Sequence, residues 1–369
     1  MQKKIIALAV AALASTAAFA QTNVTVYGVA DGSFDVIQID KSLNQGNNVG
    51  DFNRVSANSS YLGFKGTEDL GNGLKAVFQF ESSVAFDSTG GTIAARDSYV
   101  GLSSAFGTVV MGNLTGPTRA LGAGLDVNAG ATGIGANSGI IGKLTGSTPN
   151  CAKSAICTSA FDTRWSNTIA YVSPNFAGFS GVAAYVADEN KTEDGANNTA
   201  GVLRTTGYDV GVKWEGAGFM AGIAYNWFQA GNLAGTDADN LRLGGSYKGA
   251  WGSVNLMWEE TKANGGVYGT SSGNKQQKWG VGGAFNIGKA AIIGQYYQAL
   301  ESDNIKNDGA FLAEVGAVYN LSKRSSLKAV YAYLDNESAG RADFGVNASG
   351  VNGSGSTLQG LQLGLRHNF

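Results

Sequence analysis

The sequence predicts an all-β fold: an antiparallel transmembrane β-barrel of sixteen strands. Three observations carry this. Apolar residues recur at every second position along much of the chain. Short turn signals alternate with long polar stretches. No stretch after the first twenty residues approaches the ~20 apolar residues of a membrane-spanning helix.

The alternation is explicit in five segments. Leu74, Ala76, Phe78 and Phe80 interleave with Lys75, Gln79 and Glu81. Tyr208, Val210, Val212 and Trp214 interleave with Asp209, Gly211, Lys213 and Glu215. Leu241, Leu243 and Tyr247 alternate with Arg242, Gly244, Ser246 and Lys248. Trp279, Val281, Phe285 and Ile287, then Phe311, Ala313, Val315 and Tyr319, repeat the pattern. Successive side chains of a strand point to opposite faces, so each segment has one apolar and one polar face. A soluble sandwich would bury the apolar face in a core. A membrane barrel turns it to lipid and leaves the polar face to a wet lumen, and aromatics near strand ends suit the two interfacial girdles.

Turn spacing separates the two architectures. Short turn signals fall at 69–73, 104–107, 174–178, 215–218, 249–252, 286–289 and 321–324. Long polar stretches fall at 37–56, 83–95, 187–204, 229–238, 262–275, 300–309 and 337–356. With one longer connection they make seven short turns and eight long loops, hence sixteen strands. Short periplasmic turns and long external loops are the habit of outer-membrane barrels, and sixteen strands enclose an aqueous channel. Residues 21–369 show no linker or second domain.

Composition excludes much else. Charged residues are 15% of the 369, against about a quarter in ordinary domains. With 43% apolar residues and a formal charge of −2 the chain is not disordered. Two Cys cannot staple it. No basic excess exists to neutralise phosphates, so nucleic acid is not an expected partner. The one His, His367, leaves little room for His-based catalysis or a His-ligated metal, and no cofactor is expected.

Residues 1–20 read as an address. Lys3 and Lys4 give a charged start, Ile5 to Leu13 is apolar, and Ala18-Phe19-Ala20 fits a small-x-small cleavage site. The expectation is a secretory signal peptide cut before Gln21. The apolar run is too short for a spanning anchor.

One loop is too long. The turn centres lie near 71, 106, 176, 217, 250, 288 and 322, and one interval, about 70, is roughly twice the rest. The excess is the third long loop, about 114–163, which is glycine-rich and carries few charges. A connection of this length in a regular barrel is usually functional. It is expected to fold into the lumen and narrow it. Cys151 and Cys157 both lie in it, and their close spacing in an oxidising compartment points to a disulfide.

Several segments resemble a known family. Val24–Gly32, Leu62–Gln79, Arg96–Leu102, Phe106–Val109, Arg164–Pro174 and Gly364–Phe369 are similar to strands of Gram-negative general-diffusion porins, particularly the beta-proteobacterial outer-membrane type. The resemblance covers the whole mature chain. It implies a homotrimer of sixteen-stranded barrels among outer-membrane lipids and lipopolysaccharide. Each barrel would hold a water-filled pore, narrowed by the third loop, for passive diffusion of small hydrophilic solutes and ions. It also implies that the last strand, ending in Phe369, is the signal read by the outer-membrane assembly machinery.

The resemblance extends to the pore. In the family a ladder of basic residues on the wall faces acidic groups on the third loop. Arg96 and Arg164 fall on positions of that ladder. Arg164 is placed inward because Trp165, Ile169 and Tyr171 share the other face. Arg96 has the parity of Val100 and Leu102, so it needs a bulge to point inward. Lys65 and Lys75 alternate with Leu62/Phe64 and Leu74/Ala76 and are expected to point inward. Tyr61 and Asn113 stand where the family has Arg, and Asp126 is the only mid-loop acid. The wall charge is therefore thin. Lys65, Lys75, Arg96 and Arg164 against Glu81 and Asp126 give a weak selectivity leaning to anions.

Other classes of function make different demands on the sequence. A barrel enzyme would need a general base, and His367 sits two residues from the end, at an expected interface. A substrate-specific channel would need an aromatic track or dedicated groups in the lumen, whose assignable faces are mostly Gly, Lys, Asn and Ser. An adhesin would not conduct.

Overall fold

A computed structural model describes residues 23–40, 50–88, 90–146, 161–187, 205–230, 237–263, 273–346, 348–349 and 354–369. Its strands are β1 (Asn23–Asp40), β2 (Phe52–Ala57), β3 (Tyr61–Gly71), β4 (Leu74–Ser83), β5 (Ser98–Ser104), β6 (Gly107–Thr115), β7 (Arg164–Val172), β8 (Phe179–Val186) and β9 (Thr205–Gly216). The second half holds β10 (Phe219–Ala230), β11 (Asp237–Gly249), β12 (Gly252–Ala263), β13 (Asn274–Ile287), β14 (Ala290–Ala299), β15 (Ala310–Asn320), β16 (Ser325–Asn336) and β17 (Thr357–Asn368). One helix, α1 (Pro117–Gly124), opens the third loop.

The strands form one antiparallel sheet, and β17 returns to β1 and closes it. β2 lies on Gly32–Ile37 of β1 and β3 on Asn23–Val29, so these two are halves of one stave and the barrel has sixteen. β1 fills the break between the halves. Its Asp31 N–H donates to Ser60 Oγ at 2.8 Å, and Asn58 Nδ2 donates to Asp31 Oδ1 at 3.1 Å. At the seam, Gly28 and Phe369 exchange two backbone hydrogen bonds of 3.1 Å. The Phe369 ring stands where a Cβ on Gly28 would be, so this seam needs glycine.

All seven expected short turns join paired strands. Three of them place both central residues at positive φ: Asn72 and Gly73, Ala177 and Gly178, Ala217 and Gly218. This turn geometry follows the right-handed twist of the flanking strands. Some long connections are shorter than their polar stretches suggested. β1 runs on to Asp40 and pairing resumes at Phe52, while β10 and β11 leave only residues 231–236 between them. Backbone bonds extend a ladder past the point where apolar alternation ends.

The barrel is inside out. Val212 is 52% exposed, Phe285 56%, Val315 56% and Leu363 52%, whereas the inward Asp35, Arg242, Glu259 and Lys278 are fully buried. Outward aromatics gather in two bands. Tyr185, Tyr208 and Trp227 follow one another at 5.4 and 5.9 Å, and Trp279, Tyr296, Phe311 and Tyr333 at 5.4, 5.6 and 5.8 Å, near the long-loop end. Phe219, Tyr247 and Trp251 form a second row near the short turns. These are the girdles expected where hydrocarbon meets headgroups.

The described part of the third loop, 116–146 and 161–163, folds into the lumen and lies against one side of it. Leu121 and Leu125 pack over Gly222 and Gly244, where side chains would collide with them. Beyond the helix the loop meets strand after strand: Asn255 donates to Leu125 O at 3.1 Å, Asn128 to Glu314 at 2.8 Å, and Thr132 to Asp31 at 3.3 Å. Ile134, Ile140 and Ile141 of the loop join the inward Ile37, Leu312, Leu334 and Leu358 in one fully buried apolar cluster. That side of the interior is therefore dry, not the uniformly wet lumen that alternation suggested. Cys151, Cys157 and residues 1–22 lie outside the described residues.

Buried charges fix the loop. Glu259 pairs with Lys278 at 3.2 Å and accepts from Arg242 Nε at 2.8 Å and from the loop's Gly142 N–H at 2.8 Å. Arg242 reaches on to Asp162 at 3.3 Å and to the carbonyl of Thr118 at 2.7 Å. Removing one partner of such a group strands the others in a dry site, at about 3–5 kcal/mol. Glu259→Ala should therefore loosen the loop while the barrel stays closed. Limited trypsin digestion in detergent should then cut at Arg119 or Lys143; protection equal to the unsubstituted chain would show that the loop is held by other contacts.

Candidate pore-lining site

The wall that the loop leaves bare runs from the first half of β1 through β3, β4, β5 and β6. Strand register sets its layout. Lys65 faces Gln79, Gln79 faces Tyr99, and one step higher Tyr27 and Glu81 flank Gly63. These residues alternate with the outward Phe64, Phe80 and Val100, which are 42, 49 and 54% exposed.

Glu81 organises the patch. It accepts from Tyr27 Oη at 2.8 Å and from Gln79 Nε2 at 3.1 Å, and pairs with Arg96 Nε at 3.3 Å. The Arg96 guanidinium lies 4.4 Å over the Tyr61 ring, and the Lys65 ammonium 4.8 Å over the Tyr27 ring. Arg164 Nε pairs with Asp97 at 3.2 Å, and Asp97 also accepts from Thr115 Oγ1 at 2.9 Å. Asn113 Nδ2 donates to the Arg96 carbonyl at 3.0 Å. Arg96, Arg164, Lys65, Glu81, Tyr61 and Asn113 thus share one patch. Burial, with Arg164 nearby, lowers the Arg96 guanidinium from its usual range, against the pull of Glu81. Lys75 lies apart, beside the short turn and opposite Asp69.

Two inward placements have causes other than parity. Arg96 precedes β5, in a bend whose N–H donates to Glu81 O at 3.1 Å, so no bulge within β5 is needed. Trp165 is not outward with Ile169 and Tyr171. It is buried, with Phe228 5.6 Å away, while Ile169 and Tyr171 are 45 and 42% exposed. The ladder slips between Gly112 and Leu114, and Asn167 stands at positive φ, so a bulge reverses parity between Trp165 and Ile169.

Asp126 does not join the patch. Its carboxylate accepts the N–H groups of Asn128 at 2.7 Å and Asn137 at 2.6 Å and the Gln295 amide at 3.1 Å, so it is turned onto its own loop and β14. Burial pushes its carboxyl up to about 6. Folding therefore favours its protonated form, and ionisation on rising through that pH costs the loop stability. The loop's exposed positions Ala120, Gly124, Ala129 and Gly130 carry no charge.

Parity alone missed Asp97, Tyr27, Tyr99 and the group of Arg242, Glu259 and Lys278. For the last, a signal existed. Arg242 and Glu259 are equidistant from the turn between Gly249 and Gly252, which makes them cross-strand partners, and Glu259 is in turn partnered by Lys278.

Comparison with known proteins agrees with this architecture. The family model described as Gram-negative porin matches residues 7–339. Outer membrane porin protein 32 of Delftia acidovorans is 33% identical over 378 aligned residues, covering 100% of both chains. Major outer membrane protein P.IB of Neisseria lactamica is 29% identical, again with 100% of both covered. Among solved structures, the anion-selective porin from Comamonas acidovorans superposes with a TM-score of 0.74 at 28% identity, over 95% of this chain and 100% of that one. An inside-out barrel of sixteen staves with a loop folded into its bore, matched along nearly its whole length, belongs to the Gram-negative porin family: it is an outer-membrane channel for passive diffusion of small hydrophilic solutes.

Proposed function

We propose that this porin favours anions weakly and assembles as a homotrimer, as a channel rather than an enzyme. The observation that carries the first point is the pairing of charges on the bare wall. Glu81 is engaged by Arg96 and Asp97 by Arg164, while the exposed Lys65 makes no ion pair among the described residues. The loop's Asp126 is turned away, so fixed charge facing the passage is positive on balance. Low-dielectric walls focus such a field. The Comamonas relative is itself described as anion-selective.

The second point is supported by the outward face. Outward Tyr and Trp occur along β7 to β16. From β1 to β6 every Tyr is on the lumen side and no Trp is present; the outward side chains there are Val24, Val26, Phe34, Phe64, Val100, Leu102 and their neighbours. A lipid-facing wall holds amphipathic rings at the headgroup level. Their absence over this sector suits contact with further copies of the chain.

Two measurements follow. Removing one wall charge about 7 Å from a permeating ion changes its energy by ~0.6 kcal/mol in a water-like dielectric, roughly threefold in relative permeability. Reversal potentials in a KCl gradient should show chloride preference, reduced by that factor in Lys65→Gln; a cation preference in the unsubstituted channel would refute the reading. Lys at Val26 or at Val212 should burden the barrel by a similar ~2–4 kcal/mol at the bilayer midplane. Chemical cross-linking should then find trimers lost in Val26→Lys and kept in Val212→Lys, and equal effects would remove the case for a β1–β6 interface.

A further inference from the structure

We propose that the bare wall is a binding surface for aromatic carboxylates, so that the pore retains benzoate-like anions in preference to aliphatic anions of the same charge and size. This rests on the chain being a porin channel. Three tyrosines stand on the lumen side of this wall. Tyr27 and Tyr61 meet edge to face at 6.1 Å, and Tyr99 hydrogen-bonds Gln79 at 3.3 Å. None of them sits in a girdle, and all three keep part of their surface exposed. A wall that only needed to be wet would be served by Ser or Asn; partly exposed rings offer π faces and edges to a solute.

The cations are arranged to match. Arg96 and Arg164 each spend Nε on a wall carboxylate, and no hydrogen bond engages their Nη atoms among the described residues. Their terminal N–H groups are the fork that fits a carboxylate. The Arg96 guanidinium sits 4.4 Å from the centre of the Tyr61 ring, so a planar solute stacked on the same guanidinium would extend an existing cation–π pair. The exposed loop residues Ala120, Ala129 and Gly130 are small and uncharged, and a hydrocarbon ring beside them loses no hydration partner. A cationic, tyrosine-lined wall selects a solute with one charged end and one flat apolar end.

The test compares solutes in one channel. The full chain is reconstituted in planar bilayers in KCl, and open-channel current is titrated with benzoate, cyclohexanecarboxylate and acetate. Benzoate should bind about two- to fivefold more tightly than cyclohexanecarboxylate, the range of an exposed cation–π contact. That ratio should fall to about one in Tyr61→Leu or Tyr99→Leu, and return in Tyr61→Phe, which restores the ring without the hydroxyl. Reading the ratio within each variant cancels any change in conductance. Equal binding of the two ring acids by the unsubstituted channel, or a ratio untouched in both Leu variants, would overturn the proposal. An absence of KCl conductance would instead overturn the channel reading itself.

Discussion

Backbone closure is the constraint from which the rest of this molecule follows. In hydrocarbon every unpaired N–H or C=O is costly, and a sheet crosses a membrane only if it has no edge. Here the last edge is removed where β17 meets β1 over twelve residue pairs, from Val29 with Asn368 to Asp40 with Thr357. Once closed, the ladder no longer depends on the identity of most side chains, which are free to meet two different solvents. The outward ones are apolar and the inward ones carry charge. Even the break at Asn58–Ser60 obeys the rule, since the Ser60 hydroxyl accepts from the Asp31 N–H and donates to the Asp31 carbonyl where the ladder lapses.

The interior is divided between two tasks. One side is filled by the third loop, with an apolar cluster and an ion group that has no access to water. The other is wet, with each arginine of the patch held by a carboxylate. The pairing is more than stabilisation. An arginine held at Nε has a fixed direction, and its remaining donors point where the wall aims them. Surface ion pairs of this kind are weak in water, but in a pore they decide what the field looks like to a passing ion.

Much of this was legible from residue order. Alternation gave the two faces of β4, β9, β11, β13 and β15, and the turn at Asn72-Gly73 is written in the dipeptide itself. The length of the third loop was visible as a doubled interval. What was not legible depended on contacts distant in sequence. Trp165 is reversed by a bulge that a period-two reading cannot contain. Residue order leaves Asp126 facing the pore, whereas its loop's path is set by Gln295, Glu314 and Asp31, each more than ninety residues away. The inward Leu312, Leu334 and Leu358 interrupt a polar face, and the reason, Ile134, Ile140 and Ile141 packed against them, lies far away in the chain.

The staking of the third loop has a consequence for how the molecule is made. Its partners are drawn from β1 and from β9 through β17, so the loop has no complete seat until chain segments from both termini have met. A cylinder must exist before its bore can be narrowed. The gauge of the passage therefore depends on the seam between β1 and β17 as much as on the loop itself.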